Sequence, residues 1–209
     1  MRPATLPVLL ASVLVTSCVT LSPDPRPIAP PLVIAKTPPT PKPVKIGLAL
    51  GGGAARGFAH IGVIKVLEAQ GFTPDFVVGT SAGAVVGALY ASGNNGFELQ
   101  KLAFKLDETK ISDWSVPDRG VLKGEALQQF VNEAVANRPI ESLKKPFAVV
   151  ATDLNSGESI VFRTGNTGMA VRASATVPGV FRPVSSNGHE YVDGGLSSLI
   201  PVRSTRQMG

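Results

Sequence analysis

Two stretches of this sequence carry residues suited to nucleophilic chemistry. The first is Gly79-Thr80-Ser81-Ala82-Gly83, a match to G-x-S-x-G. In that pattern a serine occupies a sharp turn from a strand into a helix. Its hydroxyl projects outward, beside a helix N-terminus that favours developing negative charge. The flanking glycines let strand and helix approach without Cβ clashes. The pattern is short, and a serine there also suits a plain cap for a helix starting at Ala82. The second stretch is Asp193-Gly194-Gly195, where an aspartate between a strand and two glycines reaches inward with little steric hindrance. It too has a bland alternative, because Asp-Gly is a common turn signal.

A third stretch, Gly51-Gly52-Gly53-Ala54-Ala55-Arg56-Gly57, can line up backbone amides around an anion. A P-loop needs Lys and then Ser or Thr after its last glycine, and here Phe58 and Ala59 follow. A dinucleotide loop needs G-x-G-x-x-G, and counting from Gly51 puts Arg56 at the third glycine. Asp75 lies at about the right distance for a ribose contact, but it opens a strand instead of ending one. The remaining use is an oxyanion hole, which fits a serine nucleophile one strand later. A Ser–Asp/Glu–His triad in α/β-hydrolase order needs a histidine after the acid. His60 and His189 both precede Asp193, so a Ser–Asp dyad is what remains. His60, in an apolar helix, reads as structural, and His189 belongs to a strand or turn. One cysteine and two histidines leave no disulfide and no metal site to argue for.

These residues need elements to hold them. Residues 45–50 and 76–78 are apolar runs that read as buried strands, with helical stretches at 58–70 and from Ala82 to Tyr90. Helical spacing recurs at 97–106 and 124–136, where Leu127, Phe130, Val131 and Val135 share a face. The segment between them is a loop in which Trp114 serves as core filler or a lipid anchor. Residues 146–154 and 159–163 read as a hairpin around Asn155-Ser156-Gly157. A short helix over 169–175 precedes Val180 and Phe181, an apolar patch expected at the rim of the site. Residues 188–192 then form the strand that delivers Asp193.

The chain has 209 residues, 44% hydrophobic and 17% charged, which suits one folded domain with a real core. Its net charge of +5 is scattered and aromatics make up only 6%, so there is no basic stripe for nucleic acid. Weak attraction to anionic membrane surfaces is a better use of that charge. Residues 1–18 read as a targeting segment, with Arg2, an apolar run from Leu6 to Val15, and small residues before Cys18. The run is too short to span a bilayer. Its end resembles a bacterial lipobox, which implies cleavage before Cys18, acylation there, and a stable anchor in the cell envelope, with the outer membrane as the default. Residues 19–43 hold half of the 18 prolines and read as a polyproline-type tether reaching roughly 70–80 Å.

Taken in order, the glycine loop 51–57, the Ser81 pentapeptide and Asp193-Gly194-Gly195 resemble the patatin-like phospholipase family. Residues 172–181 and 120–127 resemble further segments of it. The resemblance covers essentially residues 45–207. It implies an α/β fold, a three-layer α/β/α sandwich with a central, mostly parallel sheet. It also implies a serine acyl hydrolase of phospholipase A or lysophospholipase type that cleaves lipid carboxylic esters and needs no cofactor. Carried over, Ser81 is the nucleophile and Asp193 the base. Gly51, Gly52 and Gly53 supply oxyanion amides, Arg56 shapes that loop, and Gly57, Gly79, Gly83, Gly194 and Gly195 are motif glycines. Family members continue past residues 201–209 into another apolar strand. The domain, residues 44–209, is therefore expected to be truncated and to leave a sheet edge open. The competing reading is a non-catalytic, lipid-anchored lipoprotein that binds lipid or a partner.

Overall fold

The computed structural model describes residues 44–105 and 120–209. The expected targeting segment with Cys18, the tether and Trp114 lie outside the described residues. The strands in chain order are β1 (Gly47–Leu50), β2 (Phe76–Thr80), β3 (Gly120–Leu122), β4 (Phe147–Asp153), β5 (Ser159–Phe162), β6 (Gly179–Phe181), β7 (Val184–Ser186) and β8 (His189–Asp193). The helices are α1 (Phe58–Ala69), α2 (Ala82–Ala91), α3 (Gly96–Lys105), α4 (Glu125–Ala134), α5 (Thr167–Ser174), α6 (Gly195–Ser198) and α7 (Val202–Met208).

Every residue of β2 and β4 is buried, as near-continuous apolar strands covered on both faces should be. On one face Val77 and Val149 meet Ala84, Leu89, Val131 and Val171 from α2, α4 and α5. On the other, Val78, Ala148 and Val150 meet Met208 at the end of α7. Each buried side chain of this size contributes about 1.5–3 kcal/mol. Helix α2 is apolar all round and buried from Gly83 through Ala91 except at Val85, which makes it the central helix of its layer. The three-layer α/β/α arrangement is the expected one.

The sheet is mixed, not mostly parallel. β1, β2 and β4 run parallel, whereas β5 and β8 join β4 antiparallel and β7 joins β8 antiparallel. Short connections account for the β4–β5 and β7–β8 pairs, since tight hairpins can only link antiparallel neighbours. β7 and β8 are joined by Asn187 and Gly188, both with positive φ (51° and 80°), the conformation that favours Asn-Gly in two-residue hairpins. The apolar pair Val180 and Phe181 belongs to β6, which pairs parallel with β3.

The register of β4 positions the site. Val149 and Val150 of β4 face β2 and β5, while Ala151 and Thr152 face β8 and β5. Because β5 occupies one flank throughout, β2 and β8 must share the other, one after the other. β2 ends with Thr80 opposite Val150, and β8, running the opposite way, ends with Asp193 opposite Ala151. The two strands therefore meet head to head along a single neighbour. Ser81, the first residue beyond β2, is thereby brought against the end of β8.

At the far end of β8, the Asp153 carboxylate accepts the Asn155 and Ser156 amides, both at 2.9 Å, and His189 Nδ1–H at 2.7 Å. The Ser156 amide first and His189 second hold its pKa below the ordinary value, against the opposing effect of burial. A lowered folded-state pKa contributes stability above the usual carboxylate range and loses it as pH falls through the folded-state value. Asp153→Asn keeps an acceptor but removes the charge. It should melt at a lower temperature than the parent at neutral pH. The gap in Tm should close as pH is taken well below about 3.9.

Candidate active site

The nucleophile candidate sits where β2 turns into α2. Ser81 has φ 52° and ψ −122°, a backbone conformation that L-residues rarely adopt and that costs about 1–3 kcal/mol. The close packing of the turn demands it. A Cβ on Gly79 would lie 2.5 Å from Ala84 Cα, and one on Gly83 would collide with the Leu50 carbonyl. Gly57 presses on Ala82 in the same way, at 2.7 Å. The strain is held in place by Ser174, a fully buried residue at the end of α5. Its Oγ accepts the Ser81 amide at 2.7 Å and donates to the Val150 carbonyl at 2.5 Å.

Both bland alternatives receive a clear answer. Ser81 makes no side-chain cap to α2, and its Oγ donates instead to Asp193 Oδ2 at 2.7 Å, across 112 positions of sequence. Asp193 serves two roles with its two oxygens. Oδ1 accepts the Gly195 amide at 2.6 Å, which is turn chemistry, and Oδ2 faces the serine. The residue is 8% exposed, and its backbone is pinned as well. The Asp193 amide donates to the Thr176 carbonyl at 2.7 Å, and its own carbonyl accepts Thr152 Oγ1–H at 2.9 Å. Gly194 is required because a Cβ there would run into the Val150 carbonyl.

The glycine loop lies against the same serine. A Cβ at Gly52 would be 3.2 Å from Ser81 Cβ. The four residues expected to serve the loop behave differently. The Gly51 carbonyl is held by His60 Nε2 at 2.8 Å, so the histidine does position this loop. The Gly52 amide donates to the Leu199 carbonyl at 2.9 Å, so it is engaged and does not point into open space. The Gly53 carbonyl accepts the Arg56 amide at 3.0 Å, which closes a short 3-10 turn over Ala54–Gly57. Among the described residues, the amides of Gly53 and Ala54 meet no protein acceptor. Ala54 has φ 47°, and successive amides around such a residue form an anion-binding concavity.

Residue types and spacing reach Ser81, Asp193 and the glycine loop. They do not reach Ser174 or Thr152, which hold the two candidate residues through hydrogen bonds. The available signal was a serine inside the segment 172–181, next to no apolar pattern that would explain its burial. Ser174→Ala leaves the Ser81 amide without its acceptor and the Val150 carbonyl without a donor. It should cost roughly 1–3 kcal/mol in urea unfolding.

Comparisons with known proteins identify the family and the fold. The family model for patatin-like phospholipase matches residues 48–206. An uncharacterized NTE family protein of Mycobacterium bovis is 38% identical over 161 residues, covering 76% of this chain and 44% of its own length. Patatin-like phospholipase domain-containing protein 6 of Homo sapiens is 34% identical over 172 residues, covering 78% of this chain and 12% of its own length. The chain thus spans less than half of the curated relatives it matches. Among solved structures, VipD from Legionella pneumophila shares the fold with a TM-score of 0.55 at 18% identity, covering 73% of this chain and 46% of that one.

Proposed function

Because the chain belongs to the patatin-like phospholipase family, we propose that it is a serine acyl hydrolase that cleaves lipid carboxylic esters through a Ser81–Asp193 dyad. The observation that carries this reading is the 2.7 Å hydrogen bond from Ser81 Oγ to Asp193 Oδ2, made by a serine on a strained turn beside free amides. Asp193 Oδ2 takes the hydroxyl proton as Ser81 Oγ attacks the ester carbonyl carbon. The carbonyl oxygen becomes an oxyanion that accepts the Gly53 and Ala54 amides. Donors of this kind are each worth on the order of 10²–10³ in turnover. Collapse breaks the bond to the alcohol, which leaves with the proton held by Asp193, and Ser81 keeps the acyl group. Water, deprotonated by Asp193, then attacks the acyl-enzyme. The fatty acid departs and the proton returns to Ser81.

Within this reading Gly51 and Arg56 shape the loop and leave charge stabilisation to Gly53 and its neighbour. Gly52 joins them only when its bond to Leu199 opens. Acylated Cys18 would hold the domain at the membrane that carries its substrate.

The test is hydrolysis of p-nitrophenyl esters of graded acyl length by the purified chain. Ser81→Ala should lose about 10⁶-fold in kcat, and Asp193→Asn about 10⁴-fold, as when other serine hydrolases lose the nucleophile or the acid that supports it. A folded Ser81→Ala protein that hydrolyses the esters at the parent rate would overturn the assignment.

A further inference from the structure

The turn that follows Asp193 is unusually apolar for a surface. Leu196, Leu199 and Ile200 are 64%, 55% and 62% exposed, within five consecutive residues. Single exposed aliphatic residues need no explanation, but a contiguous group at the mouth of a site marks an interaction surface. Two of them, Leu199 and Ile200, stand against the glycines of the site. Leu199 Cδ1 lies 3.1 Å from where a Cβ on Gly52 would be and 3.3 Å from one on Gly195, the glycines that border Ser81 and Asp193. Ile200 Cγ1 lies 3.3 Å from the corresponding position on Gly51. Exposed Arg203 on α7 follows the group by three residues, and exposed Arg56 lies on the glycine loop that Leu199 and Ile200 adjoin.

Two hydrogen bonds tie this turn to the ends of β1 and β2. Thr80 Oγ1 donates to the Ser198 carbonyl at 3.0 Å, and the Gly52 amide donates to the Leu199 carbonyl at 2.9 Å. The second bond has the length, roughly 2.7–3.1 Å, at which a backbone amide serves an oxyanion. A carbonyl of the chain itself thus occupies an amide beside Ser81, on a segment whose exposed side chains would be better placed in hydrocarbon.

We propose that residues 196–200 are a lip that inserts into a lipid surface carrying anionic headgroups, and that insertion draws the Leu199 carbonyl off Gly52 and frees that amide for the substrate's carbonyl oxygen. The proposal rests on the lipid-ester reading of the Ser81 site. The lipid surface is the occupant because the lip rims a site argued to take a lipid ester and exposed arginines stand on the two segments it adjoins, the glycine loop and α7. Aliphatic side chains provide the insertion, and basic residues at their edge favour anionic headgroups. Freeing Gly52 adds a donor beside Gly53 and Ala54 only when a surface is present, which links turnover to contact with lipid.

The experiment uses the full chain carrying Cys18→Ser and Ser81→Ala, so that neither acylation nor turnover contributes. Vesicles of phosphatidylglycerol and phosphatidylcholine in equal parts are sedimented with the protein. Adding Leu196→Ser and Ile200→Ser should weaken partitioning by about tenfold or more. Val66→Ser, an equally exposed aliphatic site on α1, should leave it unchanged. In the same protein with the lip intact, exchange of the Gly52 amide with deuterium should accelerate on vesicle binding while that of buried Ile64 does not. This second measurement does not depend on the lip variant folding. Equal partitioning with and without the lip side chains, or a Gly52 amide whose exchange is unaltered by vesicles, would overturn the proposal. Neither readout requires an active serine, so a failure of the hydrolase reading would appear separately, in the ester assay.

Discussion

Two strands that end against each other along one neighbour determine everything else about this molecule's site. β2 and β8 share the same flank of β4 and approach from opposite directions, stopping at Val150 and Ala151. Neither can extend without running into the other. The residue after β2 must leave the sheet at once, and it does so at Ser81 by adopting φ 52°. The last residue of β8, Asp193, is placed beside it with no loop in between to blur the distance. A pair so far apart in sequence is usually costly to align, because loops must be ordered to do it. Here the ladder of β4 supplies the alignment, and its hydrogen bonds are the same ones that hold the core together.

The strained serine is stabilised from several directions. Its amide goes to Ser174, its hydroxyl to Asp193, and its helix is buried on nearly all sides. Ser174 in turn donates to Val150, the β4 residue opposite the end of β2, so the support returns to the same strand. A strained conformation of order 1–3 kcal/mol persists only when its surroundings over-determine it. Three well-formed hydrogen bonds and a fully packed helix meet that requirement. Under the proposed mechanism, such rigidity leaves any adjustment to substrate to the loops around Ser81 and Asp193. The Leu199–Gly52 bond is where the proposal places that adjustment.

Much of this was legible in the sequence, and the reasons it was legible are physical. Ser81 stood out because glycines at 79 and 83 have few uses other than a tight strand-to-helix turn. Asp193 stood out because its strand and its two glycines bracket it. β2 was readable as a buried strand from its unbroken apolar run, and β4 as the first arm of a hairpin. What the sequence concealed was long-range. The head-to-head meeting of β2 and β8 depends on register, which no local pattern encodes. The antiparallel half of the sheet was signalled at Asn187-Gly188, a dipeptide whose hairpin meaning is clear only once β7 is known to precede it. The loop amides could be counted but not aimed. Gly52 looks the same as Gly53 in one dimension, and only the fold shows that Leu199 has already taken its hydrogen bond.

The most direct test is a crystal structure of the chain inactivated by an alkyl phosphonate ester. Phosphonylation traps a tetrahedral centre on the nucleophile, with one oxygen standing where the oxyanion would. The expected result is a single adduct on Ser81 Oγ, with that oxygen within hydrogen-bonding distance of the Gly53 and Ala54 amides and Asp193 Oδ2 still beside Ser81. An adduct on another residue, or one on Ser81 whose oxygen points away from the glycine loop, would contradict the dyad mechanism.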